Sequence, residues 1–261
     1  MDSGWFIVCM VIIFAASMVG AYLPLSFRSS DRRVHLMIAF SAGIFLGVLF
    51  LMLLPEAIEE SEASGYDLHV VMYAILGGFL AIFIFDFLFR HYAKSDCDCK
   101  ECRDHHSHDM TSLSAFVGLS IHACFDGLAL AAAFVAGEEI GIVVLLAICV
   151  HKVVEVFSLS STFLLSNRRK KASNYLIPFC LITPLAGIIS YLVLDGADTG
   201  IAGIAFAVSA GVFMFVTMID ILPEAFHRRD IDVKSVALLL IGLAVVIAIV
   251  TVTEAVGGHG I

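Results

Sequence analysis

Runs of about 20 apolar residues recur along this 261-residue chain, and they decide what it can fold into. A helical run of that length matches the roughly 30 Å hydrocarbon thickness of a bilayer. Inside hydrocarbon every backbone N–H and C=O needs an internal partner, so spanning runs of this kind are helices. Eight are read, over residues 5–25, 35–55, 68–91, 113–136, 140–165, 174–194, 201–223 and 233–254. The expected fold class is an all-α polytopic membrane protein. Composition agrees, with 60% hydrophobic and 15% charged residues, where a soluble domain has about one-half and one-quarter. The first run follows Met-Asp-Ser-Gly-Trp, lacks a basic flank and ends at Pro24 without a small-residue cleavage site. It reads as a span rather than a signal peptide.

The formal charge of −9 matters less than where the charges fall. Arg28, Arg32 and Arg33 follow span one, and Arg90, Lys94, Lys100 and Arg103 follow span three. Arg168, Arg169, Lys170 and Lys171 follow span five, and Arg228, Arg229 and Lys234 follow span seven. Fourteen of the fifteen basic residues thus lie in loops from an odd to an even span. The other loops are acidic, with Glu56, Glu59, Glu60, Glu62 and Asp67, then Glu138 and Glu139, then Asp195 and Asp198. The positive-inside rule places the basic loops in the cytoplasm and both termini outside. The expected location is the plasma membrane, with an internal membrane as the alternative. Basic residues dispersed over short loops do not suit nucleic acid.

One basic residue is left, Lys152, inside span five. It stands in one of two stretches with the same pattern. Span four contains His122-Ala123-Cys124-Phe125-Asp126-Gly127, and span five contains His151-Lys152-Val153-Val154-Glu155. Each sets a His and a carboxylate at i and i+4, on one helix face and about 5–6 Å apart at Cβ. A charge in mid-membrane costs roughly 2.5–3.5 kcal/mol on insertion scales. A metal ion shared between the two helices is the simplest reason for both to carry that cost. Two imidazoles and two carboxylates suit Zn²⁺ and also Fe²⁺, Mn²⁺ or Cd²⁺. Cys124 points about 200° away from His122 on a helical wheel and is not expected among the ligands.

The spans around them repeat. Span two carries Ser41-Ala42-Gly43-Ile44-Phe45 and then Leu54-Pro55-Glu56-Ala57. Span seven carries Ser209-Ala210-Gly211-Val212-Phe213 and then Leu222-Pro223-Glu224-Ala225 at the same spacing. Two matched blocks read as an internal repeat. Each is the second helix of a three-span group, so the copies run in opposite directions, an inverted repeat of the kind carriers use. The expected division is 1–91 for spans one to three, 92–112 for a loop, 113–166 for spans four and five with the metal site, and 167–261 for spans six to eight. Pro55 and Pro223 predict a local break in each repeat helix.

Further polar groups extend the reading. Glu56 is the candidate entry residue of an acidic vestibule, unless it is merely a solvated loop residue. Asp86, Asp220, Glu224 and His227 are candidate exit ligands, with pairing to Arg90, Arg228 and Arg229 as the plain alternative. Cys97, Cys99, Cys102, His105, His106 and His108 suit Zn²⁺ or Cu⁺ on a flexible loop, which could equally be a solvated polar segment. Cys9, Cys124, Cys149 and Cys180 lie in spans, so the seven cysteines form no disulfide framework.

These features together resemble the ZIP (Zrt/Irt-like) divalent-metal transporters over essentially the full length. They are eight spans, outside termini, a His-rich loop after span three, His-x3-acid in span four and His-x3-Glu in span five. The likeness is greatest to the branch with His-Lys in span five. The resemblance implies eight transmembrane helices in a 3+2+3 arrangement and metal carried into the cytosol, one helix bundle sliding against another. It also implies His122, Asp126, His151 and Glu155 as the transport-site ligands. Members with a binuclear site have Asn after the span-four His, an acid after the first span-five ligand and a carboxylate in span six. Here Ala123 and Lys152 stand at the first two positions and span six has no carboxylate. One ion is therefore expected, with the Lys152 ammonium in the electrostatic place of a second. The metal is the transported substrate, and no resident cofactor is expected. The expected partners are the divalent ion and the lipid bilayer, with a homodimer as the candidate assembly. The competing readings are an intramembrane zinc hydrolase, in which an open coordination position activates water, and a metal-selective channel or sensor.

Overall fold

The computed structural model describes residues 3–26, 31–92, 100–165, 169–194, 201–226 and 233–257. Among them, eight helices are long and apolar enough to cross a membrane. Span one is α1 (Ser3–Ser26) and span three is α4 (Leu68–Tyr92). Spans four, five and six are α5 (Lys100–Ala136), α6 (Glu138–Leu165) and α7 (Arg169–Leu194). Span eight is α10 (Val233–Gly257).

Spans two and seven are each broken where the prolines predict a break. Span two is α2 (Asp31–Val48), a π-helical turn over Leu49–Leu53, and α3 (Leu54–Ala63). Span seven is α8 (Ile201–Phe215), a π-helical turn over Val216–Ile221, and α9 (Leu222–Ala225). Proline has no N–H to give to the carbonyl four residues back, so the ladder must be rearranged just upstream. The widened turn does this with i to i−5 bonds. Leu54 N–H donates to the Leu49 carbonyl, and Leu222 N–H donates to the Thr217 carbonyl. These are equivalent positions of the two repeats, 168 residues apart.

The packing repeats as well. Span two lies along span eight, and span seven along span three. A Cβ at Gly43 would fall 1.9 Å from the Leu239 carbonyl oxygen, and one at Gly211 would fall 2.0 Å from that of Ile75. Only glycine lets the helices approach so closely. The Phe45 and Phe213 rings meet with centroids 4.9 Å apart. They are equivalent residues, so their contact marks the pseudo-twofold axis between the repeats.

The helices sort into two bundles that cut across the repeats. Spans one, four, five and six pack together, as do two, three, seven and eight. The bundles meet chiefly where span four lies on span seven and span five on span two. Span one, which carries no Asp, Glu, Lys, Arg or His, belongs to the bundle that holds both His-carboxylate stretches. Ser160 Oγ of span five donates to the Ala21 carbonyl at 2.8 Å, and Thr183 Oγ1 of span six donates to the Ala123 carbonyl at 3.0 Å.

The turn from span two to span three is built from local bonds. Gly65 adopts φ 81°, and Tyr66 N–H reaches back to the Ser61 carbonyl at 3.0 Å, a helix ending that favours glycine. Asp67 then caps α4 by accepting from His69 N–H at 2.9 Å. That bond and the His69 ring hold the Asp67 carboxyl below its ordinary range.

Candidate metal centre

Spans four and five are joined at Gly137 alone, between Ala136 and Glu138. So tight a connection makes them antiparallel neighbours. His122 lies fourteen residues before the end of α5, and His151 thirteen residues after the start of α6. At 1.5 Å per residue both stand about 20 Å from the turn, at matching depth. The i, i+4 spacing then brings each carboxylate to the same face as its histidine.

The four side chains converge. His122, Asp126, His151 and Glu155 each offer a donor atom, and these atoms lie within 4.8 Å of one another. His122 Nε2 is 3.4 Å from Asp126 Oδ1, and His151 Nε2 is 3.5 Å from Asp126 Oδ2. The two imidazole rings are 6.2 Å apart between centroids. His122 Nε2, both ring nitrogens of His151 and Glu155 Oε1 are buried with no hydrogen-bond partner. Buried polar atoms without partners are costly, and one donor atom from each of the four residues belongs to the same close group. This cluster can hold a metal ion.

Lys152 reaches the same volume. Its Nζ donates to Glu155 Oε2 at 2.5 Å and pairs with Asp126 Oδ2 at 2.5 Å, the latter outside hydrogen-bond angles. The Phe179 ring of span six lies 6.0 Å from the ammonium. With both carboxylates ionised, the cluster carries one net negative charge in addition to its neutral imidazoles.

Sequence reasoning missed Ser209. Its hydroxyl and His122 Nδ1 form a hydrogen bond of 2.8 Å from span seven to span four. When Nδ1 donates that bond, Nε2 is left with its lone pair turned to the cluster. The Phe213 ring packs 4.6 Å from the same imidazole. Both residues stand in the block that reveals the repeat, so the signal was present but spoke of symmetry rather than of the site.

The remaining candidates lie elsewhere. Cys124 is exposed on the outside of span four, as the helical wheel predicts. Glu56 is exposed beyond the π turn of span two, whereas Asp86, Asp220 and Glu224 are buried; none of these joins the four-residue group. Cys97, Cys99 and His227 fall outside the described residues. Cys102, His105, His106 and His108 stand on helical backbone, because α5 begins at Lys100 rather than at residue 113; their side chains are outside the description.

The family model for the ZIP zinc transporters matches residues 3–115 and 97–250. The chain belongs to the ZIP zinc transporter family. The zinc transporter ZIP9-B of Xenopus laevis is 25% identical over 84% of this chain and 88% of its own length. The zinc transporter ZIP9 of Micropogonias undulatus is 25% identical over 82% and 84%. The zinc transporter ZIP1 of Danio rerio is 29% identical over 56% of this chain and 49% of its own. As a ZIP protein the chain is a multi-pass membrane transporter and not an enzyme, which removes the hydrolase reading.

Proposed function

We propose that this protein carries a divalent transition metal, zinc first among the candidates, from the outside or an organelle lumen into the cytosol. One intramembrane site of His122, Asp126, His151 and Glu155 binds the ion. The observation that carries the reading is the convergence of these four donors within 4.8 Å, deep between two antiparallel helices. Fe²⁺, Mn²⁺ and Cd²⁺ suit the same donors. His151-Lys152 supports a place in the His-Lys branch of the family.

Lys152 takes the electrostatic role of a second cation. Its ammonium already neutralises one of two carboxylates, so an arriving divalent ion needs only part of their charge and is later released more readily. The ligands must be deprotonated to bind, so falling pH weakens metal binding.

The basic loops supply the direction: the positive-inside argument sets them in the cytoplasm and both termini on the other face. Glu56 stands near the entrance, and Asp86, Asp220, Glu224 and His227 take the ion onward. The Cys/His segment from Cys97 to His108 receives or senses it. Alternating access follows from one helix bundle sliding against the other, which the inverted repeat permits. Burial of the donors favours such a carrier over an open channel.

The test is radioactive zinc uptake by His122→Ala and Glu155→Ala at wild-type amounts in the membrane. Loss of uptake in both is expected. Retained uptake in both would refute the site.

A further inference from the structure

The two interfaces between the bundles are related by the pseudo-twofold axis, yet they are not in the same condition. Where span four meets span seven, His122 Nδ1 is hydrogen-bonded to Ser209. The equivalent place is where span five meets span two. There the counterpart of His122 is His151, and the counterpart of Ser209 is Ser41, at the repeat offset of 168. Among the described residues, Ser41 Oγ and His151 Nδ1 are both buried and both without a hydrogen-bond partner.

Other differences run in the same direction. His122 is 1% exposed and His151 10%. A small cavity bounded by Ile44, Val48, His151, Glu155 and Phe213 opens on the span-two side of the cluster. Glu56 is exposed while its counterpart Glu224 is buried. At span seven the serine–histidine pair is bonded; at span two the equivalent pair is not, and a cavity lies beside it.

An axis lying in the membrane plane exchanges the two faces of the membrane. Applied to an asymmetric arrangement of two similar repeats, it yields an arrangement open to the other face, with each residue in its counterpart's part. We infer that Ser209 and Ser41 are alternating latches. Ser209 holds His122 in the arrangement described, and Ser41 takes His151 Nδ1 in the oppositely facing one. The first bond breaks as the second forms. Each state thereby makes one of the two buried hydrogen bonds, which leaves the two near in free energy, as a carrier requires. The serines are positioning residues: they fix the imidazoles and do not touch the ion. The inference rests on the carrier reading above.

The experiment measures the two populations directly in metal-free protein in lipid vesicles. Spin labels are introduced through a non-natural amino acid at Glu62, at the end of span two, and Glu138, at the start of span five. Both positions are exposed, and they belong to different bundles. Two label-to-label distances are expected, one for each arrangement. Ser209→Ala lowers the population of the described arrangement by about threefold to tenfold, the weight of one net hydrogen bond. Ser41→Ala shifts the ratio the other way by a similar factor, and the double variant returns it towards the wild type. Ser209→Thr and Ser41→Thr keep a hydroxyl and shift it less. A general loss of packing would move both alanine variants in the same direction. Shifts of the same sign, or no shift in either variant, would overturn the inference. Zinc uptake in the same vesicles tests the carrier reading separately. Uptake by the wild type with unmoved distances overturns the latch alone, and absence of uptake overturns both.

Discussion

Lys152 Nζ lies 2.5 Å from Asp126 Oδ2 on the neighbouring helix and 2.5 Å from Glu155 Oε2 on its own. A single ammonium therefore bridges the two carboxylates that a divalent cation would seek. It ties spans four and five together, and on the proposed reading it competes with the metal for these carboxylates.

Removing that ammonium should separate the two effects. Lys152→Met leaves two buried carboxylates without a counter-charge, a loss of about 3–5 kcal/mol when one partner of a buried pair is deleted. The metal-free variant is expected to unfold at a lower temperature than the wild type. Zinc restores the missing charge, so saturating zinc should raise the variant's midpoint more than the wild type's. In uptake assays the variant should show a KM lower by about tenfold, or 1.4 kcal/mol, with slower turnover. Lys152→Arg keeps the charge and should resemble the wild type. Unchanged affinity and rate in Lys152→Met would sink the competition argument.

The symmetry of the packing predicts matched effects far from the cluster. A Cβ at Gly78 would fall 2.2 Å from the Val208 carbonyl oxygen, and one at Gly242 would fall 2.2 Å from that of Phe40. These are the same contact in the two repeats. Gly78→Ala and Gly242→Ala should each destabilise the protein by about 1–3 kcal/mol, the usual cost of overpacking. Thermal unfolding in detergent reads the shift. A large loss in one variant and none in the other would show that the repeats are not packed alike.

Cys124 stands between His122 and Asp126 in the chain but on the outside of span four in space. Cys124→Ala should leave zinc uptake within about twofold of wild type, the scale of a surface change. A loss approaching that of His122→Ala would mean that span four is rotated from the helix described.

Much of the cluster was legible because helical period and chemistry point the same way. His122 and Asp126, and His151 and Glu155, share faces by spacing alone, and the apolar setting makes their cost conspicuous. The breaks before Pro55 and Pro223 were legible too, since proline leaves a carbonyl unpaired. Their π-helical form was not, because the missing bond can be accommodated by several ladders. The sorting of span one with spans four to six escaped the sequence. It depends on which faces meet, and a span apolar all round gives no sign of its partner. Ser209 escaped for the same reason. A hydroxyl in a span can bond its own helix, as Thr217 does with the Phe213 carbonyl, and only packing sends Ser209 to another helix instead. The start of α5 at Lys100 was hidden by polarity, which marks a solvated segment without saying whether it is helical.

Metal content tests the central claim most directly. Purified protein is equilibrated with zinc, freed of unbound ion, and its zinc measured per chain, with the segment from Cys97 to His108 replaced by Gly and Ser to remove surface binding. One ion per chain is expected, lost in Asp126→Ala and in His151→Ala. Two ions per chain, or one ion retained in both variants, would contradict the single intramembrane site.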